Sequence, residues 1–425
     1  METQPENIPA ENAAGNEPVE GVKPSGKKKA KSKWSRIAFD ISLTCAFVAA
    51  IVIGITVLGL MSGSVMEGDL GFICQQCANL RAQAAWVLLV TVIPPLFSLP
   101  WRPLAAVSMI FALINLALIA PVFQNQEQKG DKDAAIFSFK LLQMESGDRA
   151  FPVDDLVDLV ASENPDIFTV CGINWDEMTA FNGKPNINSY PIRLLKPRQD
   201  GYGLGLYSKF PTTNMFVKEF GPDKIPVMFA AAKFEYGWVR ILTFRAPQVS
   251  KAEEMKRRNQ FLSELPKEMS TLKGPLLVCA NLNSSPYTGA YQTFLSTSRL
   301  TDTRVGFGMQ PNFYIGEADL YFNRVPNDYA LANSYVGTAS RWIAADFNSQ
   351  HLPIVGKYFL REHKIEYKDL KVPETKKIEP AQAVKQAVEP EGTTSFKKKD
   401  SKKASESSKS SKPSKPSKSL RHKRK

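Results

Sequence analysis

The chain has 425 residues, enough for one large domain of roughly 200–250 residues with further segments beside it. Its net charge of +12 invites a nucleic-acid partner, but residues 397–425 hold 13 Lys or Arg against Asp400 and Glu406, and the remainder is close to neutral. A basic surface spread over a folded domain is thereby excluded, and five scattered cysteines exclude a disulfide framework.

Residues 1–36 begin rich in Glu, Asn, Pro and Gly and end basic, at Lys27, Lys28, Lys29, Lys31, Lys33 and Arg36; they are expected to be disordered. The membrane region is expected over 37–123. Residues 37–60 have Asp40 as their only charge and are long enough to cross a bilayer. Two further apolar segments, 84–99 and 104–123, are separated by Pro100-Trp101-Arg102-Pro103, which reads as a turn at the membrane surface between antiparallel spans. Three spans follow, with Pro94-Pro95 leaving a kinked or re-entrant second segment open. The basic cluster ahead of the first span should stay in the cytoplasm, which places a multi-pass protein in the cell membrane with the later domain outside.

Between the first two spans lies a loop with Cys74 and Cys77. Their spacing permits a redox or metal role, but no second Cys or His pair accompanies them, so a loop disulfide or free thiols is expected. Cys171 and Cys279 stand in apolar runs and read as small buried hydrophobes.

Residues 134–366 alternate strand-like and helix-like segments. Strands are expected at 134–142, 167–171, 202–208, 227–234 and 238–244. A short amphipathic helix at 154–163 stops at Asn164-Pro165, and Ser250 with Glu253 matches a capping box opening a helix toward Met269. A mixed α/β sheet with helices on its faces is implied. After Val372 the chain becomes Pro, Glu, Lys and Ser; residues 373–425 cannot bury a core and are expected to be a disordered basic tail. Either it is a solvated polycation, or it reaches an anionic surface such as lipid headgroups or envelope polyanion.

The focus of the domain is Pro275 to Thr288, an apolar strand running into Asn281-Leu282-Asn283-Ser284-Ser285-Pro286. It resembles the G-D-F-N-x-x-P signature of the endonuclease/exonuclease/phosphatase superfamily, with Ala280 and Asn281 where that family has Gly and Asp. More stretches resemble the family in its own order: Asn164 to Val170 its P-D-V-V-x-L-Q-E, Gly203 to Pro211 its G-x-A-I-L-S-R-x-P, and Val239 to Pro247 the strand ending T-H-x-x-P. Ala318-Asp319-Leu320-Tyr321-Phe322 resembles I-D-H-I-F, and Ser349 to Val355 resembles S-D-H-L-P-I-V. With the spans, the chain is similar to membrane-anchored bacterial members. The resemblance implies the four-layer α/β sandwich of the DNase I-like fold.

Members of that family hydrolyse phosphate esters with a divalent cation, usually Mg²⁺, held by carboxylate and amide oxygens. Here the family's Glu falls at Gly172 or Ile173, its early Asn near Ser138 to Lys140, and its first His at Phe244 or Arg245. The Asp of G-D-x-N is Asn281, which cannot ionise and so cannot serve as a base. What remains of the motif is Asn283, Asp319 and His351. The chain has three histidines, and His363 and His422 lie beyond the last matched strand. The expectation is a pseudoenzyme needing no cofactor, a binding or scaffolding module at the cell envelope. Arg245 and Lys140, if both reach the cleft, would bind an anion such as a phosphate ester or envelope polyanion; nucleic acid is not favoured. The alternative is an active Mg-dependent phosphodiesterase or phosphatase with substituted ligands, drawing on Asp176, Glu177 or Glu317.

Overall fold

The computed structural model describes residues 33–63, 67–124, 135–146, 152–234, 237–316 and 319–361. The basic N-terminal end before Lys33, the Lys/Ser/Pro-rich tail, and Glu317 lie outside them.

Four helices come first: α1 (Lys33–Met61), α2 (Gly68–Asn79), α3 (Arg81–Leu96) and α4 (Arg102–Ile119). Two runs are long and apolar enough to cross a membrane, namely α1 and Leu99–Phe123, which is α4 with a 3₁₀ turn at each end. The expected middle span is different. α3 has 16 residues and carries Pro94 and Pro95 in its last turn, giving about 24 Å against the ~30 Å of a bilayer core. Only together with α2, to which it is bent by 64°, does it reach a span's length. The small side chains of Ala49, Ala84 and Ala112 let these helices approach, and Val52 and Leu88 complete their shared core. Within it, Asn115 donates to Thr56 Oγ1 at 3.0 Å.

The segment with Cys74 and Cys77 is helix α2 rather than a loop, and both thiols are free. Gly71, Cys74 and Ala78 are spaced to share one buried face, and the Ala78 backbone lies 3.2 Å from where a Cβ on Gly59 of α1 would sit.

The rest is two six-stranded sheets between helices. Strands β1 (Ala135–Glu145), β2 (Ile167–Cys171), β3 (Ile192–Lys196) and β4 (Leu204–Ser208) belong to the first sheet. β5 (Thr212–Phe220), β6 (Ile225–Phe234), β7 (Gly237–Arg245), β8 (Leu276–Asn281) and β9 (Thr301–Asp302) belong to the second. A short ribbon, β10 (Phe313–Tyr314) with β11 (Arg324–Val325), precedes β12 (Asp328–Ala332), β13 (Val336–Ile343) and β14 (Ile354–Arg361). The orders are β13-β14-β1-β2-β4-β3 and β5-β6-β7-β8-β12-β9. In each sheet one central pair, β1–β2 or β7–β8, is parallel.

Alternation along the strands builds the layers. Phe139, Leu141, Ile167 and Leu206 of the first sheet meet Met228, Ile241, Leu277 and Cys279 of the second in one apolar core. On the outer faces, α5 (Val153–Glu163) and α6 (Trp175–Asn182) cover Phe168 and Val170. α7 (Ala252–Met269) and α8 (Gly289–Ser298) cover Phe229, Leu242 and Val278. The result is the expected four-layer α/β sandwich. One local detail differs: Ser250 bonds Glu254 Oε2 through both its amide (2.8 Å) and its hydroxyl (2.6 Å), and Glu253 takes no part.

Candidate functional site

The parallel pairs of the two sheets end on the same edge of the sandwich. There β1 delivers Glu145, β7 Arg245 and β8 Asn281, while β12 opens with Asp328 paired to Asn281. The loop before β14 adds Ser349, Gln350 and His351.

His351 is almost wholly buried, and its Nδ1 lies 2.7 Å from Asp328 Oδ2. The same carboxylate oxygen accepts from the Asn312 amide. Burial pulls the imidazole pKa down, but the Asp328 charge and its hydrogen bond outweigh this and leave it above its ordinary value. Ser349 Oγ donates to Glu145 O at 2.7 Å and accepts from His351 N at 3.0 Å, which fixes the loop against the end of β1.

Asn281 and Asn283 do come together. Asn281 Oδ1 accepts from Asn283 N at 2.8 Å, and Asn327 Nδ2 lies 3.2 Å from Asn283 Oδ1. Asn283 sits at φ 46°, a left-handed conformation that Asn tolerates, and its own amide donates to Ala246 O at 2.8 Å. The Asn283 carbonyl accepts from Arg258, a guanidinium of α7 with no exposed surface. Arg258 Nη2 donates to Gln75 of α2 at 2.6 Å, and burial lowers its pKa to about 10.

Arg245 reaches the edge but meets a carboxylate there. Its Nη1 is 3.3 Å from Glu145 Oε1 and donates to Gly201 O at 2.9 Å, with both charged side chains buried. The position where the family's Glu was sought is Gly172, at φ 87°; a Cβ there would come within 2.0 Å of Ser146 Oγ and 3.2 Å of Glu145 Oε1. The neighbouring Ile173 is core. The carboxylate of this edge thus comes from β1, one strand away from where the sequence suggests it.

Two expected residues do not join the site. Lys140 lies mid-strand, five residues before Glu145, with its ammonium 2.7 Å from Glu163 Oε2 and over the Trp342 ring. Asp319 is held by Arg324 through two bonds of 2.6 Å on the β10–β11 hairpin. The Asp facing His351 is Asp328, which the sequence reading missed; the signal was Asp at the head of the buried alternation D-Y-A-L-A. Of the nearby acids, Glu177 serves α6 by bonding the Asn174 amide at 3.0 Å in a capping box, with Asp176 N donating to Asn174 Oδ1. Among the described residues no three His, Cys, Asp or Glu side chains gather so as to hold a metal ion.

The edge opens into a cleft of about 240 Å³ lined by Arg245, Asn283, Ser285, Asn327, Gln350 and His351, and by Gln75, Gln76 and Asn79 of α2. One wall of the candidate site is therefore a helix from the membrane-side segment.

The model of the Endonuclease/Exonuclease/phosphatase family matches residues 142–351. No curated protein matches the chain. Among solved structures, an endonuclease/exonuclease/phosphatase from Bacteroides vulgatus is similar at 15% identity and TM-score 0.44, over 53% of this chain and 99% of that one. Another from Beutenbergia cavernae is similar at 13% identity and TM-score 0.43, over 52% and 72%. The human Nocturnin catalytic domain with bound sulfate is similar at 16% identity and TM-score 0.42, over 52% and 94%.

Proposed function

Since residues 142–351 form a domain of the endonuclease/exonuclease/phosphatase family, we propose that this chain is a membrane-anchored, catalytically degenerate member acting as a binding or scaffolding module at the cell envelope. The observation that carries the reading is the Glu145–Arg245 pair at 3.3 Å. A guanidinium occupies the place of the family's first His and neutralises the edge's one β1 carboxylate. A divalent cation beside it would face a fixed positive charge, and of the second carboxylate, Asp328, Oδ2 is engaged by His351 and Asn312, which leaves Oδ1 alone without a partner. These side chains do not fit a resident Mg²⁺. Asn281 cannot accept a proton from water, which removes the base as well.

In this reading α1, the bent α2–α3 pair and α4 make three crossings of the cell membrane, and the basic residues at the start of α1 hold that end in the cytoplasm, so the domain lies outside. The basic tail then meets anionic envelope material, and nucleic acid is not a favoured partner. Of the expected anion site, Arg245 lines the cleft but is paired with Glu145, and Lys140 is paired with Glu163 away from it.

An active Mg-dependent phosphodiesterase or phosphatase is the competing reading, and the Asp328–His351 pair is what favours it. The purified full chain in detergent, given a generic phosphodiester with Mg²⁺ or Mn²⁺ beside its His351→Ala variant, decides between them. No turnover above the variant is expected. Metal-dependent hydrolysis that disappears in His351→Ala would establish the enzyme instead.

A further inference from the structure

The cleft and the membrane-side helices meet at one level. Gln83, in the first turn of α3, donates to Phe322 O at 2.9 Å and Arg324 O at 3.1 Å. Gly289 N donates to Ser62 O at 2.9 Å, and Gly306 and Gly308 donate to Val122 O at 2.9 and 3.0 Å. The ends of all three apolar segments thus hold the face that carries the cleft.

At that level two separate elements expose apolar side chains. The hairpin between β10 and β11 presents Leu320 (61% exposed), Tyr321 (69%) and Phe322 (54%) beside Gln83. α2 has Gln75 and Asn79 on the cleft and, on another face, Leu70 and Ile73 about half exposed. An apolar patch of this kind beside span ends is continuous with the surface the spans already give to lipid.

Primary amides dominate the polar part of the lining, with Gln75, Gln76, Asn79, Gln248, Asn283, Asn327 and Gln350, beside an apolar part that includes Phe313, Ile315 and Val325. The two cationic side chains of the lining among the described residues, Arg245 and His351, each face a carboxylate. Ser285 Oγ and Asn79 Oδ1 are buried there without a partner, and Ser285 is 2% exposed. Polar atoms buried without a partner call for one, and in a cleft a ligand's hydroxyl can supply it. A phosphate, which only accepts hydrogen bonds, is best held by an unneutralised guanidinium or ammonium. Amides both donate and accept, which matches hydroxyl groups that do the same.

We propose that the cleft seats the neutral, hydroxyl-rich headgroup of a glycolipid still anchored in the bilayer, while Leu320, Tyr321, Phe322, Leu70 and Ile73 rest in the interface. This deepens the binding-module reading and rests on α1, the α2–α3 pair and α4 crossing a bilayer. The lipid's acyl chains stay among the exposed apolar residues, and its sugar reaches Ser285 and the amides.

The full chain, reconstituted in nanodiscs, tests this with photoreactive p-benzoylphenylalanine placed singly at four exposed or half-exposed positions: Phe322, Gln350, Leu43 in α1 and Thr213 on β5. Lipid adducts are expected from 322 and 43 and not from 213. The adduct from 350 should rise about tenfold when monoglucosyldiacylglycerol is added to phosphatidylcholine, equivalent to about 1.4 kcal/mol of preference. An adduct from 43 without one from 322 overturns the interfacial hairpin alone, leaving the binding module in place. A rise at 350 with phosphatidylglycerol but not with the glucolipid, or no rise with either, overturns the sugar assignment. No adduct from 43 overturns the membrane reading beneath both. Hydrolysis of a phosphodiester in the earlier assay would instead strike the module reading and leave the hairpin's position untouched.

Discussion

Burial disfavours the charged form of His351, which gains from being charged chiefly through Asp328 and to a lesser extent through Glu145. Its pKa in the folded chain is raised, so protonation stabilises the fold below the ordinary imidazole value of about 6.5, and that contribution is lost as pH rises through the higher folded value. Replacing His351 by Gln removes it. The melting temperature of the full chain in detergent should fall by more at about pH 5.5 than at a pH above the raised folded value. A gap between the two proteins that widens with pH would mean the imidazole is buried neutral and Asp328 is not its counter-ion. The partner itself shows where sequence reading stopped. His351, Asn281 and Asn283 were legible because each stands in a short motif whose spacing survives. Asp319 also sits in a motif-like run, A-D-L-Y-F, yet the hairpin carries it to Arg324, and only the buried strand D-Y-A-L-A that follows Asp328 nine residues later distinguishes the two. Glu145 was missed for another reason: at Gly172 the site lost its side chain, and a neighbouring strand filled the space.

Elements were read better than contacts between them. Several strands, α5, α7 and the apolar runs of α1 and α4 follow from periodicity, whereas the four-layer sandwich was implied by the family resemblance. Periodicity did not reveal α2, whose 12 residues mix Gly, Cys, Gln and Leu and whose faces make sense only with α1 on one side and α7 on another. Nor did it reveal that α1 ends on α8. Gly289 opens α8, where a helix alone would favour Ala over Gly by up to ~1 kcal/mol. In the folded chain a Cβ there would come 2.7 Å from Gly63 O and 3.2 Å from Ser62 O, all backbone that cannot swing aside. Making room breaks the Gly289–Ser62 bond and disturbs the Ser62 hydroxyl at Tyr287 O, each worth about 1 kcal/mol. The clash should therefore win. Gly289→Ala is expected to lower the melting temperature of the full chain in detergent; a rise would show that α1 does not dock on α8.

At the scale of the whole molecule the membrane-side segment and the cleft are joined through one buried cation. Arg258 spans them, with Nη2 on Gln75 of α2 and Nη1 on the carbonyl of Asn283 in the cleft. Its surroundings are dry enough to bring its pKa down to about 10, so each of its donors needs an acceptor. Gln75→Leu leaves one N–H buried and unpaired, at a cost of about 1–3 kcal/mol. Gln75→Glu supplies an acceptor and a countercharge, and should hold or raise stability while bringing the Arg258 pKa back up. Coupling demands more than this difference in stability. If Arg258 positions the Asn283 turn from α2, amide exchange at Asn283 and Ser284 should accelerate in Gln75→Leu, be restored in Gln75→Glu, and stay unchanged throughout α5, which lies on the far sheet. Acceleration everywhere in proportion to stability would mean that Arg258 only holds two parts together. Acceleration confined to the turn would mean that a change in how α2 sits reaches the Asn283 turn through Arg258.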